Sequence, residues 1–141
     1  MESSLEDRQS SVLGRALPIS ARVGVVDDDL SVREALRALL RSAGFRVELF
    51  GSAEEFLRSG QTSEFASLVL DVRMSGMSGV ELQKHLAASG STVPIVFMTA
   101  HADASVRARA LAAGAVDFLE KPFSDDALLE AVDRGIGRAR P

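Results

Sequence analysis

The sequence predicts an α/β fold in which a parallel β-sheet lies between two layers of helices. From Arg22 onward, short apolar runs alternate with longer stretches of helical spacing, which is typical of strands joined by crossover helices. Five apolar runs and five helical stretches follow one another in this way. Right-handed crossovers leave few arrangements for such a chain, and a doubly wound, three-layer sheet of five parallel strands is the leading one.

The apolar runs predict the strands. Four of them are nearly continuous, which indicates burial on both faces, and they lie at 23–26, 68–70, 94–98 and 115–119. The run at 45–49 instead alternates Phe45, Val47 and Leu49 with charged residues. This alternation predicts an edge strand.

The stretches between the runs predict helices. Residues 31–43 open with Ser31 and Glu34 at the spacing of a capping box and stop at Gly44. Asp29 is either a competing cap or a solvated side chain. Four further helices are predicted at 52–58, 80–88, 103–113 and 124–134 from their spacing of apolar residues.

The length and composition favour one domain. A chain of 141 residues with 46% hydrophobic content is sufficient for a single core. Residues 1–20 show no sustained periodicity, and we interpret them as a flexible leader, with a short helix at 12–17 as the alternative. We assign residues 21–136 to the domain, and residues 137–141 to a C-terminal tail or the start of a linker.

Composition excludes several classes of protein. The absence of cysteine rules out disulfides and cysteine-ligated zinc, and it fits the cytoplasmic location that we predict. No apolar stretch approaches the roughly 20 residues that span a bilayer, and the N-terminus does not resemble a signal peptide. Residues 21–133 hold 17 Asp and Glu against 11 Lys and Arg, a net charge of −6. We therefore expect no membrane association and no direct binding of nucleic acid.

Polar residues follow four of the predicted strands. They are Asp27, Asp28 and Asp29 after the first, Asp71 after the third, Thr99 after the fourth and Lys121 after the fifth. The carboxyl ends of parallel strands share one edge of the sheet, where ligands of such folds bind. Any one of these residues could be an ordinary turn former or helix cap.

The acidic residues carry a stronger signal together than singly. Two carboxylates about 4 Å apart repel by about 4 kcal/mol at an effective dielectric constant near 20, so such a cluster needs a cation. Lys121 supplies one positive charge, and the oxygen ligands suit Mg²⁺, with Mn²⁺ or Ca²⁺ as substitutes. The combination favours a site for a phosphoryl group, with a carboxylate as nucleophile.

Four ordered motifs carry a specific resemblance: VVDDD, LDVRMSGMSG, MTAH and AVDFLEKPF. Together they resemble the receiver domain of two-component response regulators, which is CheY-like in fold, and they are most similar to the FixJ type. The resemblance extends from about Arg22 to Arg134. It implies a five-stranded parallel sheet in the order 2-1-3-4-5.

The resemblance also implies roles for individual residues. Asp71 is the expected phosphoacceptor, and Mg²⁺ is expected to be held by Asp28, Asp71 and the backbone carbonyl of Arg73, assisted by Asp27. Thr99 and Lys121 are expected to bind phosphoryl oxygens. The remaining expectations are an aromatic switch at Phe118, a cis peptide bond at Pro122, and tuning of the phosphoryl lifetime by Arg73 and His101.

The implied function is signalling rather than metabolic catalysis. A sensor histidine kinase is the expected partner, and phosphorylation is expected to change the face formed by the fourth helix, the fifth strand and the fifth helix. The domain would catalyse only its own phosphorylation and dephosphorylation. Control of transcription through a separate effector and a phosphorylation-dependent homodimer are further expectations.

One departure and three alternatives accompany the resemblance. Ser75 stands where the family usually has proline, which should make the loop before Gly79 more pliable. A haloacid dehalogenase-type phosphatase would use Asp27 and Asp29 as a D-x-D motif. A flavodoxin-like flavin protein would need large aromatic residues, although Trp and Tyr are absent. A degenerate receiver would lack part of the acidic set.

Overall fold

The computed structural model describes residues 21–139, and the predicted leader at 1–20 lies outside the described part of the chain. Within those residues the elements follow one another as β1 (Arg22–Val26), α1 (Leu30–Ser42), β2 (Arg46–Phe50), α2 (Ala53–Arg58), a 3₁₀ turn (Thr62–Glu64), β3 (Ser67–Asp71), α3 (Gly79–Ala88), β4 (Ile95–Thr99), α4 (Ala104–Ala112), β5 (Asp117–Glu120) and α5 (Asp125–Ala139). The predicted alternation of five strands and five helices is confirmed over this range.

The five strands form one parallel sheet in the order β2-β1-β3-β4-β5, as expected. β3 and β4 are buried along their whole length, and β1 is buried after its first residue, because helices cover both faces of the sheet. β2 lies at one edge, as its alternating pattern predicts.

Two apolar layers hold the helices against the sheet. On one face, side chains of α2, α3 and α4 pack with alternate strand residues around Phe56, Leu82 and Phe97. On the other face, α1 and α5 pack around Leu40 and Leu128. The sheet therefore lies between helices on both sides, as the three-layer prediction requires. No helix among residues 21–139 is both long enough and apolar enough to cross a membrane.

The start of α1 differs from the prediction. Asp29, not Ser31, is the N-cap, and its carboxylate accepts hydrogen bonds from the amides of Ser31 and Val32 at 2.8 and 3.3 Å. The hydroxyl of Ser31 donates to the same carboxylate, so it is not available to cap Glu34. The predicted capping box is therefore wrong, because an ionised carboxylate is a stronger acceptor for helix amides than a hydroxyl.

The last two elements also differ from the prediction. β5 begins at Asp117 rather than 115 and lies at the second edge of the sheet, so the expected burial on both faces is wrong for this run. Ala115 precedes the strand and is buried in the apolar layer that also includes Ala110 of α4 and Ile95 of β4. α5 continues to Ala139 and thus includes three residues of the segment 137–141 that the sequence assigns to a tail.

Candidate metal centre at the carboxyl edge of the sheet

Three carboxylates converge beyond the ends of β1 and β3. Asp27, Asp28 and Asp71 each place a carboxylate oxygen within 4.8 Å of the others. β1 and β3 are adjacent and parallel, with Val26 opposite Leu70, and this register brings the residues that follow them to the same height. Lys121, beyond β5, reaches the same cluster from across the sheet edge.

Asp27 is the most tightly held member of the cluster. Its side chain is 1% exposed, and its two oxygens accept hydrogen bonds from the amide of Asp29 at 2.8 Å and from the ammonium of Lys121 at 3.1 Å. The guanidinium of Arg33, on α1, donates to the Asp27 main-chain carbonyl at 2.6 Å. Backbone and side chain are therefore both fixed, as a buried charge requires.

The negative charge of the Asp71 carboxylate is only weakly offset by positive charge nearby. It is 6% exposed, and the Lys121 Nζ atom lies 3.8 Å from its Oδ1 atom, beyond hydrogen-bond distance. Burial raises the pKa of Asp71 to about 6, with the charge of Asp27 adding to the effect and Lys121 opposing it. The cluster therefore carries more negative charge than its single ammonium offsets.

Asp28 is the exposed member, and its Oδ2 atom accepts a hydrogen bond from the amide of Ser75 at 3.3 Å. Three carboxylates that include one solvent-facing ligand, with oxygen as the only donor atom, fit a hard divalent cation such as Mg²⁺. The raised pKa of Asp71 in the metal-free chain reflects the cluster's excess negative charge, which a bound cation would offset. Arg73 is exposed and follows Asp71 by two residues, so the role of its carbonyl stays a prediction.

The Thr99 hydroxyl is engaged within its own loop. The side chain is buried, and its Oγ1 atom accepts a hydrogen bond from the His101 amide and donates one to the His101 carbonyl, both at 3.1 Å. Thr99 lies at the end of β4, the strand beside Asp71, so it stands at the same edge as the acidic cluster. The His101 side chain is exposed.

Phe118 is buried on β5, and its ring centroid lies 5.9 Å from that of Phe97. Arg107, on α4, donates to the main-chain carbonyl of Phe118 at 3.2 Å. The aromatic side chain thus lies beneath the face formed by α4 and β5. The peptide bond between Lys121 and Pro122 is cis.

Asp29 does not join the carboxylate cluster, because its side chain is used as the N-cap of α1. The Ser31 hydroxyl and the backbone amides that donate to it also lower its pKa. The D-x-D spacing that favours a dehalogenase-type phosphatase is therefore not matched by two carboxylates facing one site.

Two contacts near the cluster were not anticipated from the sequence. One is the bond from Arg33 to the Asp27 carbonyl. The other joins Glu54, on α2, to the amide of Met77 at 2.8 Å, in the loop that follows Asp71. Both residues occur in helices of mixed polarity, where a charged side chain facing a loop cannot be distinguished by pattern from one facing water. Met74 and Met77, in the same loop, pack against the apolar core.

Comparison with known proteins gives the chain a family. A family model of the response regulator receiver domain matches residues 23–133. The chain belongs to this family. The receiver domain is similar to the transcriptional regulatory protein FixJ of Bradyrhizobium diazoefficiens, with 46% identity over 117 residues covering 83% of this chain and 57% of the relative. It is also similar to the response regulator protein TodT of Pseudomonas putida, with 45% identity over 108 residues covering 77% and 48% of the two chains.

A solved structure shows the same fold. The crystal structure of FixJ-N has a TM-score of 0.77 and 38% identity to this receiver domain, covering 86% of this chain and 98% of that one. This chain spans about half the length of the curated relatives it matches. The family assignment separates the receiver domain from flavodoxin-like proteins of similar topology, and the complete acidic set with Lys121 argues against a degenerate member.

Proposed function

We propose that this receiver domain accepts a phosphoryl group on Asp71 from the phosphohistidine of a sensor histidine kinase, in a reaction that depends on a divalent cation. The observation that carries the proposal is the convergence of Asp27, Asp28, Asp71 and Lys121 at one edge of the sheet. In the transfer, a bond forms between phosphorus and an Asp71 oxygen while the bond to the kinase histidine breaks. The imidazole leaves with the bonding electron pair.

Asp28 and Asp71 are the proposed ligands of Mg²⁺, with the Arg73 carbonyl and Asp27 completing or supporting the site. When bound, the cation offsets negative charge on the phosphoryl oxygens and on the acceptor. Mn²⁺ and Ca²⁺ have compatible ligand chemistry. Lys121, now shared between Asp27 and Asp71, is the side chain that would pair with a phosphoryl oxygen.

The signal is proposed to leave through α4, β5 and α5. The Thr99 hydroxyl would exchange its bond to the His101 carbonyl for one to the phosphoryl group, and Phe118 would repack beneath β5 in response. Arg73 and His101 are exposed beside the site, where they would affect the access of water and thus the lifetime of the phosphoryl group. A phosphorylation-dependent homodimer through this face is a further part of the proposal. Transcription would be controlled through a separate effector, as the name of one relative, the transcriptional regulatory protein FixJ, suggests.

The proposal is tested by phosphorylating the chain with a phosphorylated kinase or with acetyl phosphate and following intact mass. Wild type should gain one acid-labile phosphoryl group in the presence of Mg²⁺, and Asp71→Asn should gain none. Asp28→Asn should lose the phosphorylation that Mg²⁺ stimulates in wild type, because a proposed ligand of the cation is removed. Asp29→Asn is the matched control, since it changes a neighbouring carboxylate that serves only as a helix cap. Normal phosphorylation of Asp71→Asn would refute the assignment.

A further inference from the structure

The loop between β3 and α3, residues 72–78, is here called the acceptor loop because it follows Asp71 directly. Its two ends are joined by a hydrogen bond from the Gly79 amide to the Val72 carbonyl at 2.9 Å. Between these ends, the loop includes Arg73, whose carbonyl is a proposed ligand of the cation. Ser75 and Gly76 follow, and Gly76 has a φ of +78°. The conformation of this loop therefore decides where the Arg73 carbonyl lies.

Glu54 reaches the acceptor loop from α2. Its Oε2 atom accepts a hydrogen bond from the Met77 amide at 2.8 Å. The same carboxylate packs against Gly76, where an added Cβ atom would lie 2.6 Å from Oε2. The bond to the Met77 amide lowers the pKa of Glu54, so the side chain is ionised at neutral pH. The Glu54 carboxylate thus occupies the space that a side chain at position 76 would fill.

A second carboxylate holds the loop at an adjacent position. Asp28 accepts a hydrogen bond from the Ser75 amide at 3.3 Å. Asp28 is also a proposed ligand of the cation, so its bond to the loop competes with metal coordination. Glu54 takes no part in the acidic cluster, and its bond to Met77 can persist when a cation binds.

We propose that Glu54 is a positioning residue for the metal centre, which holds the acceptor loop in place independently of Asp28 and so strengthens divalent-cation binding. The inference rests on the proposed function, since it takes the Arg73 carbonyl and Asp28 as ligands. Without Glu54, the loop would keep its ends and the core packing of its methionines but lose a fixed point beside Gly76, and cation binding would have to restore that order and release Ser75 in the same step. With Glu54, the loop is already ordered.

The test measures Mg²⁺ binding to the whole chain by isothermal titration calorimetry. Urea unfolding in EDTA shows whether each variant is folded. Glu54→Ala should weaken Mg²⁺ binding by about 5-fold, which is less than the full effect of one hydrogen bond to a charged group because the bond to Met77 is already present before the cation binds. Glu54→Gln keeps an acceptor oxygen and should recover most of the affinity. Glu55→Ala is the matched control, because Glu55 also accepts a backbone amide, that of Gly51, in the loop before α2. It should leave Mg²⁺ affinity unchanged.

A second perturbation reaches the same contact from the loop. Gly76→Ala should push the Glu54 carboxylate away and also strain the backbone at φ +78°, so it should weaken Mg²⁺ binding at least as much as Glu54→Ala does, and the double variant should lose less than the sum of the two single losses. This variant keeps the inference testable if Glu54→Ala does not fold. Wild-type Mg²⁺ affinity in both variants, or an equal loss in Glu55→Ala, would overturn the positioning role alone. A wild-type chain that binds no divalent cation would overturn the proposed function as well.

Discussion

Replacing Asp71 by asparagine should make the metal-free receiver domain more stable at neutral pH. Burial and the charge of Asp27 raise the pKa of Asp71 to about 6 in the folded chain, against an ordinary value of 3.8. A raised pKa means that the stability contributed by the protonated form is fully present below about pH 4 and is lost as pH rises through about 6. At pH 7.5 the ionised side chain therefore opposes folding, whereas a neutral asparagine side chain at this position would not.

The size of the effect follows from the geometry. A shift of about two pKa units corresponds to about 3 kcal/mol of differential stability. Two like charges 4.8 Å apart, the limit of the oxygen separations in the cluster, repel by about 3.5 kcal/mol at an effective dielectric constant of 20. The Lys121 ammonium offsets part of this repulsion. We therefore expect Asp71→Asn to raise the free energy of unfolding by about 1–3 kcal/mol at pH 7.5, with most of the gain lost by pH 4.5.

The assay is urea unfolding followed by far-ultraviolet circular dichroism in EDTA, at steps between pH 4.5 and pH 7.5. Asp29→Asn serves as the control, because asparagine is an equally good N-cap and the exposed Asp29 has a lowered pKa. It should show no stability gain that grows with pH. Saturating Mg²⁺ should stabilise wild type more than Asp71→Asn. An Asp71→Asn variant that is no more stable than wild type at pH 7.5, or equally favoured at every pH, would refute the reasoning.

Three further substitutions test the surroundings of the cluster. Lys121→Met should lower the free energy of unfolding at pH 7.5 by about 1–3 kcal/mol, because the buried Asp27 loses its ammonium partner, and unchanged urea unfolding would contradict this. Ser75→Pro removes the amide N–H that donates to Asp28 and so removes a bond that competes with the cation. It should tighten Mg²⁺ binding about 2- to 5-fold by calorimetry, whereas Ser75→Ala keeps the amide and should match wild type. Gly79→Ala should destabilise the fold by about 2 kcal/mol or more in urea, since its Cβ atom would overlap the Asp71 carbonyl; a smaller loss would show that α3 can shift.

The arrangement of strands was predictable because a strand that is buried on both faces needs a nearly continuous run of apolar residues, and such runs are visible in the sequence. β3 and β4 are buried at every residue and have apolar centres, and the charged alternation of β2 marks the edge that it occupies. β5 was harder to place, because Ala115 is an apolar core residue that lies before the strand begins at Asp117. A single run of apolar residues does not record which neighbour buries each one.

The acidic cluster was predictable from topology, but its supporting contacts were not. Because β1 and β3 are adjacent and parallel, with Val26 opposite Leu70, the residues that follow them, Asp27 and Asp71, lie close together. Glu54 and Arg33 depend on how helices pack over the sheet, which sets the direction of long flexible side chains. Asp29 shows the same limit at short range, because three successive aspartates leave open which one turns to cap the helix.

The charges at the site suggest how phosphorylation could be transmitted. One ammonium faces three carboxylates, and a divalent cation would offset the remaining charge before transfer. A phosphoryl group on Asp71 would then add roughly one further negative charge, and neutral donors of the chain would help Lys121 and the cation to stabilise it. The Thr99 hydroxyl is such a donor, and it is now bonded to the His101 carbonyl. Turning it toward Asp71 would free that carbonyl two residues before the cap of α4, so a change of charge at β3 would become a change of conformation at the proposed output face.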